Sequence, residues 1–199
     1  MSATIPEFAK IRTADLPGIV GLIDLPPEAR EAIQRCTAAP EALEELVAAG
    51  FLIEATRLLA HALPKREAVW WACMCARHVP QPDLPEADLK ALEAAEQWVR
   101  RQTDELRREA MAHAQESGFG TPECWAAVAA FWSGDSMAPP GQPAVPPAPH
   151  LAGRAVAGAV ALASVRTQPE RATARLQTFL AAGREIAAGG PGRLAPEAG

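Results

Sequence analysis

Three stretches of this 199-residue chain read as helices with no polar side: Ala68–Ala76, Cys124–Trp132 and Ala155–Ala163. A helix in contact with water needs a polar stripe, so a helix without one must be enclosed by other elements. That requirement predicts an inner layer of apolar helices wrapped by amphipathic ones. The wrapping helices are legible too. Glu86 to Glu116 carries Leu89, Leu92, Val99, Leu106 and Ala110 along one side. Its other side has Glu86–Lys90, Glu96–Arg100 and Asp104–Arg108, all i,i+4 in the favourable order, so it reads as one long surface helix with a kink near Thr103. From Pro169, a last helix places Ala172, Leu176, Phe179, Leu180, Gly183 and Ala187 on one face.

Prolines and glycines divide the rest. Pro27 opens a helix over Glu28–Cys36, and another runs from Pro40 to a stop at Gly50. Phe51–Leu63 follows, and Pro64 turns it sharply into Lys65–Val79, which predicts a tight αα-hairpin. Thr121-Pro122-Glu123 combines an N-cap, a first-position proline and a first-turn acid ahead of a helix ending at Trp132. Residues 138–149 hold six prolines and read as an extended loop, and Leu151–Val165 is helical again. The expected fold is therefore all-α, a globular array of about seven or eight helices with a Pro-rich linker before the last two. Residues 1–26 form an N-terminal extension, 27–188 the helical domain and 189–199 a flexible C-terminal tail. No repeat of roughly 30–45 residues emerges, which argues against a solenoid.

Composition refines this picture. Alanine dominates the apolar residues, with five Phe and no Tyr, so the helices must approach closely. Trp70, Trp71, Trp98, Trp125 and Trp132 are the candidates for the bulk of the core. A net charge of −5 speaks against nucleic acid as a partner, because such binding depends on neutralising phosphates. The sixteen arginines against three lysines read as the composition of a GC-rich bacterial genome. Residues 1–15 lack a basic start followed by an apolar stretch, and Ala155–Val165 is shorter than the ~20 residues a membrane-spanning helix needs. A soluble cytoplasmic protein with reduced thiols is expected.

Chemistry-bearing residues do not converge in the sequence. Cys73 and Cys75 point about 200° apart on a helix and cannot share a metal ion without unwinding it. Cys36 and Cys124 have no C-x-x-C partner, and His61, His78, His113 and His150 lack metalloprotease spacing. Ser133-Gly134-Asp135-Ser136 is a helix stop and not a nucleophile elbow. Gly18, Gly21, Gly153 and Gly158 make no phosphate loop. No metal and no cofactor is expected. Arg66 and Glu67 open the most hydrophobic helix and are candidates for an ion pair that fixes its corner. An enzyme reading would need a site assembled in space, around Glu67, His61 and Asp135. Ile19, Val20, Leu22, Ile23 and Leu25 put five large aliphatics in seven residues before a double proline. They either strap across the domain or dock on a partner, and are the partner-binding candidates.

Three blocks carry a resemblance: Pro64-Lys-Arg-Glu-Ala-Val-Trp-Trp-Ala-Cys-Met-Cys-Ala-Arg77, Thr121-Pro-Glu-Cys-Trp-Ala-Ala-Val-Ala-Ala-Phe-Trp-Ser-Gly134 and His150-Leu-Ala-Gly-Arg-Ala-Val-Ala-Gly-Ala-Val160. Together they resemble an uncharacterised proteobacterial family, a domain of unknown function associated with type VI secretion gene clusters. The resemblance spans roughly residues 30–188 and brings no catalytic residues with it. It implies a cytoplasmic accessory protein that handles an effector, spike or sheath component. Combined with the residue reading, the expectation is a non-enzymatic interaction module, an adaptor or chaperone-like protein. The alternatives are the assembled enzyme site and a self-assembling helical subunit. Partner identity and oligomeric state stay open.

Overall fold

The computed structural model describes residues 8–198. Among them the chain is all-helical, with ten α-helices and one short 3-10 turn. In chain order these are α1 (Leu16–Leu22), α2 (Pro27–Ala32), α3 (Ala39–Ala48), α4 (Leu52–Ala62), α5 (Lys65–His78), α6 (Glu86–Arg101), α7 (Asp104–Ser117), α8 (Pro122–Trp132), α9 (Leu151–Val165) and α10 (Ala172–Ala187). The count exceeds the expected seven or eight for two reasons. Ile19, Val20 and Leu22 of the aliphatic run before the double proline fall in α1, started by Pro17, while Ile23 is its extended C-cap and Leu25 lies beyond it. The expected long helix over 86–116 is two helices. Gln102 takes a left-handed conformation (φ 51°), and the Thr103 hydroxyl accepts the Leu106 N–H as the N-cap of α7. α6 and α7 then fold back on each other, which a kink would not permit.

The three helices that contain the unstriped stretches, α5, α8 and α9, pack on one another at the centre. α6 and α7 cover α8 on one flank, while α4 and α10 cover α5 and α9 on the other, with α1 and α3 outside α4. The corner at Pro64 is sharp, but α4 and α5 are not a hairpin. They touch only near the corner because α4 turns to α3, α9 and α10, and α5 to α6, α8 and α9. Trp71 sits fully buried among them, its indole N–H donating to the Phe179 carbonyl at 2.7 Å. A Cβ at Gly183 would lie 2.6 Å from the Leu59 side chain and 2.9 Å from the Trp71 ring, so this close crossing requires glycine. Trp98 is also buried, whereas Trp70, Trp125 and Trp132 are half-buried at the edge of the core.

Each central helix ends inside the protein, where its last carbonyls need donors. Arginines from other elements supply them. Arg166 donates to the Val79 carbonyl (2.9 Å) and the Ala76 carbonyl (3.4 Å) at the end of α5, and pairs with the buried Glu123. Arg107 reaches the Phe131 carbonyl of α8 (3.4 Å) while lying over the Phe131 ring. Arg175 serves the end of α9 through the Ser164 carbonyl at 3.1 Å. The arginine surplus therefore has structural tasks beyond genome composition.

Two segments without helix are nevertheless shaped. In the Pro-rich loop, Gly141 (φ 81°) follows Pro140 in a turn closed by the Gln142 N–H on the Pro139 carbonyl. The loop doubles back, with the Met137 N–H on the Val145 carbonyl at 2.7 Å, and is not a straight extended linker. The segment expected to fray from Gly189 runs back over α5 and α10 as a strap. The Trp70 indole donates to the Pro191 carbonyl (2.8 Å), the Glu197 N–H to the His78 carbonyl (2.6 Å), and Arg175 and Arg171 both hold the Glu197 carboxylate.

Two outcomes follow in denaturant melts. Trp71→Ala should cost about 3–5 kcal/mol, and Trp70→Ala or Trp132→Ala clearly less, because those rings are only half-buried. Arg166→Met should cost about 3–5 kcal/mol and more than Glu123→Gln, since it uncaps α5 besides breaking a buried pair. Equal losses in the second comparison would mean that the capping bonds contribute nothing.

Candidate functional site

Two surface depressions collect the residues that carry chemistry. The first is a groove of about 340 Å³ between the end of α1, one face of α4 and one face of α9. Its α9 wall is made of Ala157, Gly158 and Ala161, side chains too small to fill the space beside α1. Leu22, Ile23 and Ile53 line the opposite side, with Arg57, His61 and Arg154 along its length. The groove is held open by a bond from Arg57 to the Asp24 carbonyl at 2.8 Å, which pins the chain leaving α1.

His61 is the unusual group here. Its Nδ1 faces the Arg57 carbonyl at 2.9 Å, so Nδ1 carries the proton and donates. Nε2 is buried and has no hydrogen-bond partner among the described residues. Burial pushes its pKa below the ordinary histidine value. The Arg57 and His150 backbone groups oppose that shift, while the charges of Arg154 and His150 add to it. A Cβ at Gly153 would stand 2.6–2.7 Å from the imidazole, so the ring occupies space that only glycine leaves free.

The second depression, about 330 Å³, lies where the start of α5 meets the ends of α6 and α10 and the C-terminal strap. Glu67 accepts from Lys10 at 3.0 Å and has Arg66 at 3.8 Å, while the Arg66 Nε–H donates to the Val99 carbonyl at 2.8 Å. Arg66 and Glu67 are thus paired, and together they fix the corner to α6 and to the N-terminal segment. The closer partner, Lys10, carries no periodic or spacing signal that would link it to Glu67 across 57 positions. Trp70 forms part of the floor, and Arg100 and Arg193 stand at the rim.

The remaining candidates are dispersed. Ile19, Ile23 and Leu25 are buried against the domain, while Val20 and Leu22 are half-buried and remain reachable. Glu67, His61 and Asp135 line three separate clefts, the third formed around Thr103, Arg108 and Ser136. Cys73 and Cys75 are fully buried, and burial drives both thiols well above the ordinary cysteine pKa. Among the described residues no group of three or more His, Cys, Asp or Glu stands where it could hold a metal ion, and no helix is long and apolar enough to cross a membrane.

A model of a family of unknown function, DUF6931, matches residues 42–187. The chain belongs to that family. The DUF6931 span takes in most of α3 and the whole of α4 to α10, and all three blocks that carry the resemblance fall inside it. Membership assigns relatives and no activity. No curated protein and no solved structure matches the chain.

The strap that borders the second depression is tied to pH through Glu197. The hydrogen bond from Arg175 holds this carboxyl below the usual glutamate value, against the opposing effect of burial, and the charges of Arg175, Arg171 and His78 add to it. A depressed folded pKa stabilises the bound strap above the unfolded value of 4.5, and that contribution is lost as pH falls through the folded value. Exchange of the Glu197 amide should accelerate relative to the core below that point. Glu197→Gln should show fast exchange already at neutral pH.

Proposed function

We propose that the protein is a non-enzymatic protein–protein interaction module, an adaptor or chaperone-like accessory protein working in the bacterial cytoplasm. The groove between α1, α4 and α9 carries this reading. It offers an apolar floor of Ala157, Gly158 and Ala161, an aliphatic wall from Leu22 and Ile53, and a charged edge at Arg57 and Arg154. A partner helix with an aliphatic stripe suits such a trough, seating its side chains where α9 has almost none. Two of the aliphatics singled out in the sequence, Leu22 and Ile23, belong to its wall. The dispersal of Glu67, His61 and Asp135 over three clefts supports this reading over an assembled enzyme site. The type VI secretion setting, with an effector, spike or sheath component as partner, rests on the resemblance of the three sequence blocks.

Gly158 provides the test. Among the described residues a Cβ there meets nothing within 4 Å, so Gly158→Leu projects bulk into the groove from an unobstructed Cβ and replaces glycine in a helix interior, a change worth up to about 1 kcal/mol of added stability. Affinity purification from the native host, read by mass spectrometry, should recover a partner with the wild-type chain and lose it with Gly158→Leu at an unchanged or higher melting midpoint. Recovery of the same proteins by both chains would refute docking in the groove. Assembly of the chain alone into large particles on size-exclusion chromatography would point instead to a structural subunit.

A further inference from the structure

The charge of this protein is unevenly distributed. The whole chain carries −5, yet the depression at the start of α5 gathers Lys10, Arg66, Arg100 and Arg193 around one carboxylate, Glu67. With the Glu185 carboxylate, which stands beside the lining residue Gly190, four cations less two anions leave +2 there, so the rest of the chain carries −7. Lys10 and Arg66 are engaged with Glu67, but Arg100 and Arg193 have neither an ion pair nor a hydrogen bond among the described residues. The half-buried Trp70 lines the same depression. Its indole N–H is already satisfied by the Pro191 carbonyl, so what it presents to the depression is apolar ring surface beside Val99 and Ile186.

We propose that this depression is a second docking site, and that its occupant is an acidic segment of a protein partner. A bulky apolar side chain would lie on Trp70, and flanking Asp or Glu carboxylates would meet Arg100 and Arg193. Guanidinium groups suit this task because they bind carboxylates through two parallel bonds, and an aromatic floor with an arginine rim is typical of the anchoring points in interfaces. The size of the depression favours a short segment, since about 330 Å³ holds an anchoring side chain and its neighbours. Nucleic acid is disfavoured by the same charges. A polynucleotide needs a continuous basic track, and beyond these four cations it would meet a strongly acidic protein. An acidic segment would be steered to this positive spot. This site shares no lining residue with the α1–α4–α9 groove, so it goes beyond the adaptor reading and stands or falls apart from it. Two independent sites would let one chain join two proteins.

A random nine-residue peptide library displayed on phage, selected on the immobilised full chain, tests the assignment. Recovered peptides should be enriched in Asp and Glu beside a large apolar residue. A synthetic copy of the consensus should bind about tenfold more weakly, or worse, to the R100E/R193E double variant, with a smaller loss in R100Q/R193Q. Its affinity should also fall as salt rises. Both arginines are exposed and unpaired, so a thermal melt of each variant should match the wild type, while Gly158→Leu should leave peptide binding intact. Absence of acidic enrichment, or equal affinity for wild type and both variants, would overturn the proposal. So would tighter binding of a twenty-base single-stranded oligonucleotide than of the peptide, if the double variants lost it.

Discussion

The architecture depends on ending three apolar helices inside a protein. α5 and α8 are largely enclosed because they have no polar face, α9 is covered on all sides but the one that lines the groove, and packing at the centre buries C-terminal carbonyls of all three along with their side chains. A buried carbonyl without a donor costs a large part of a small domain's net stability. Lysine, with a compact and strongly hydrated ammonium, is poorly suited to being withdrawn from water, whereas a guanidinium can serve several acceptors at once and is less strongly hydrated. Arg166, Arg107 and Arg175 are each at most 8% exposed, and each reaches a helix end other than its own. They also lock the order of packing. Arg166 follows α9 yet caps α5 and pairs with Glu123 at the start of α8, so one side chain binds all three central helices together.

How much of this can be read from the residues follows from where the information lies. The inner layer is legible because absence of a polar stripe is a local pattern with a global consequence. The helix starts at Pro27 and Thr121 are legible because capping chemistry is local. The division at Gln102 is hidden although Thr103-Asp104-Glu105 has the composition of a helix start. Ion pairs and aliphatic spacing run on across it, and a non-glycine residue in the left-handed region leaves no sign in sequence. The strap at 189–198 is hidden for a different reason. Gly, Pro and Ala composition describes the freedom of the isolated chain, while the order comes from distant groups, namely Trp70, His78, Arg171 and Arg175. The two depressions cannot be read at all, since each brings together residues from three or more elements.

Among the cations, structure separates two populations that look identical in sequence. Arg107, Arg166 and Arg175 are consumed by carbonyls and carboxylates, and Arg77 is held by Glu96 in a two-bond fork. That hydrogen bond raises the Arg77 pKa further against the cost of burial. Arg100 sits one residue beyond Val99, whose carbonyl caps α6 through Arg66, and yet Arg100 itself caps nothing. Arg30, Arg35, Arg101 and Arg154 are likewise without an ion pair or side-chain hydrogen bond among the described residues, and what sets Arg100 and Arg193 apart is that both line the depression that Trp70 also lines.

The same separation applies to small residues. In the core, alanine and glycine let helices approach: Gly183 admits Trp71 and Leu59, and Gly153 admits His61. At Gly158 and Gly21 no neighbour comes within 4 Å of the point a Cβ would occupy, so close packing is not the reason for glycine there. A helix interior gives up stability by carrying glycine at such a position. Gly158 does so on the wall of the groove, next to Ala157 and facing the wall formed by Leu22 and Ile53. The open space over α9 therefore comes at a cost in helix propensity, and a partner side chain filling it would account for that cost.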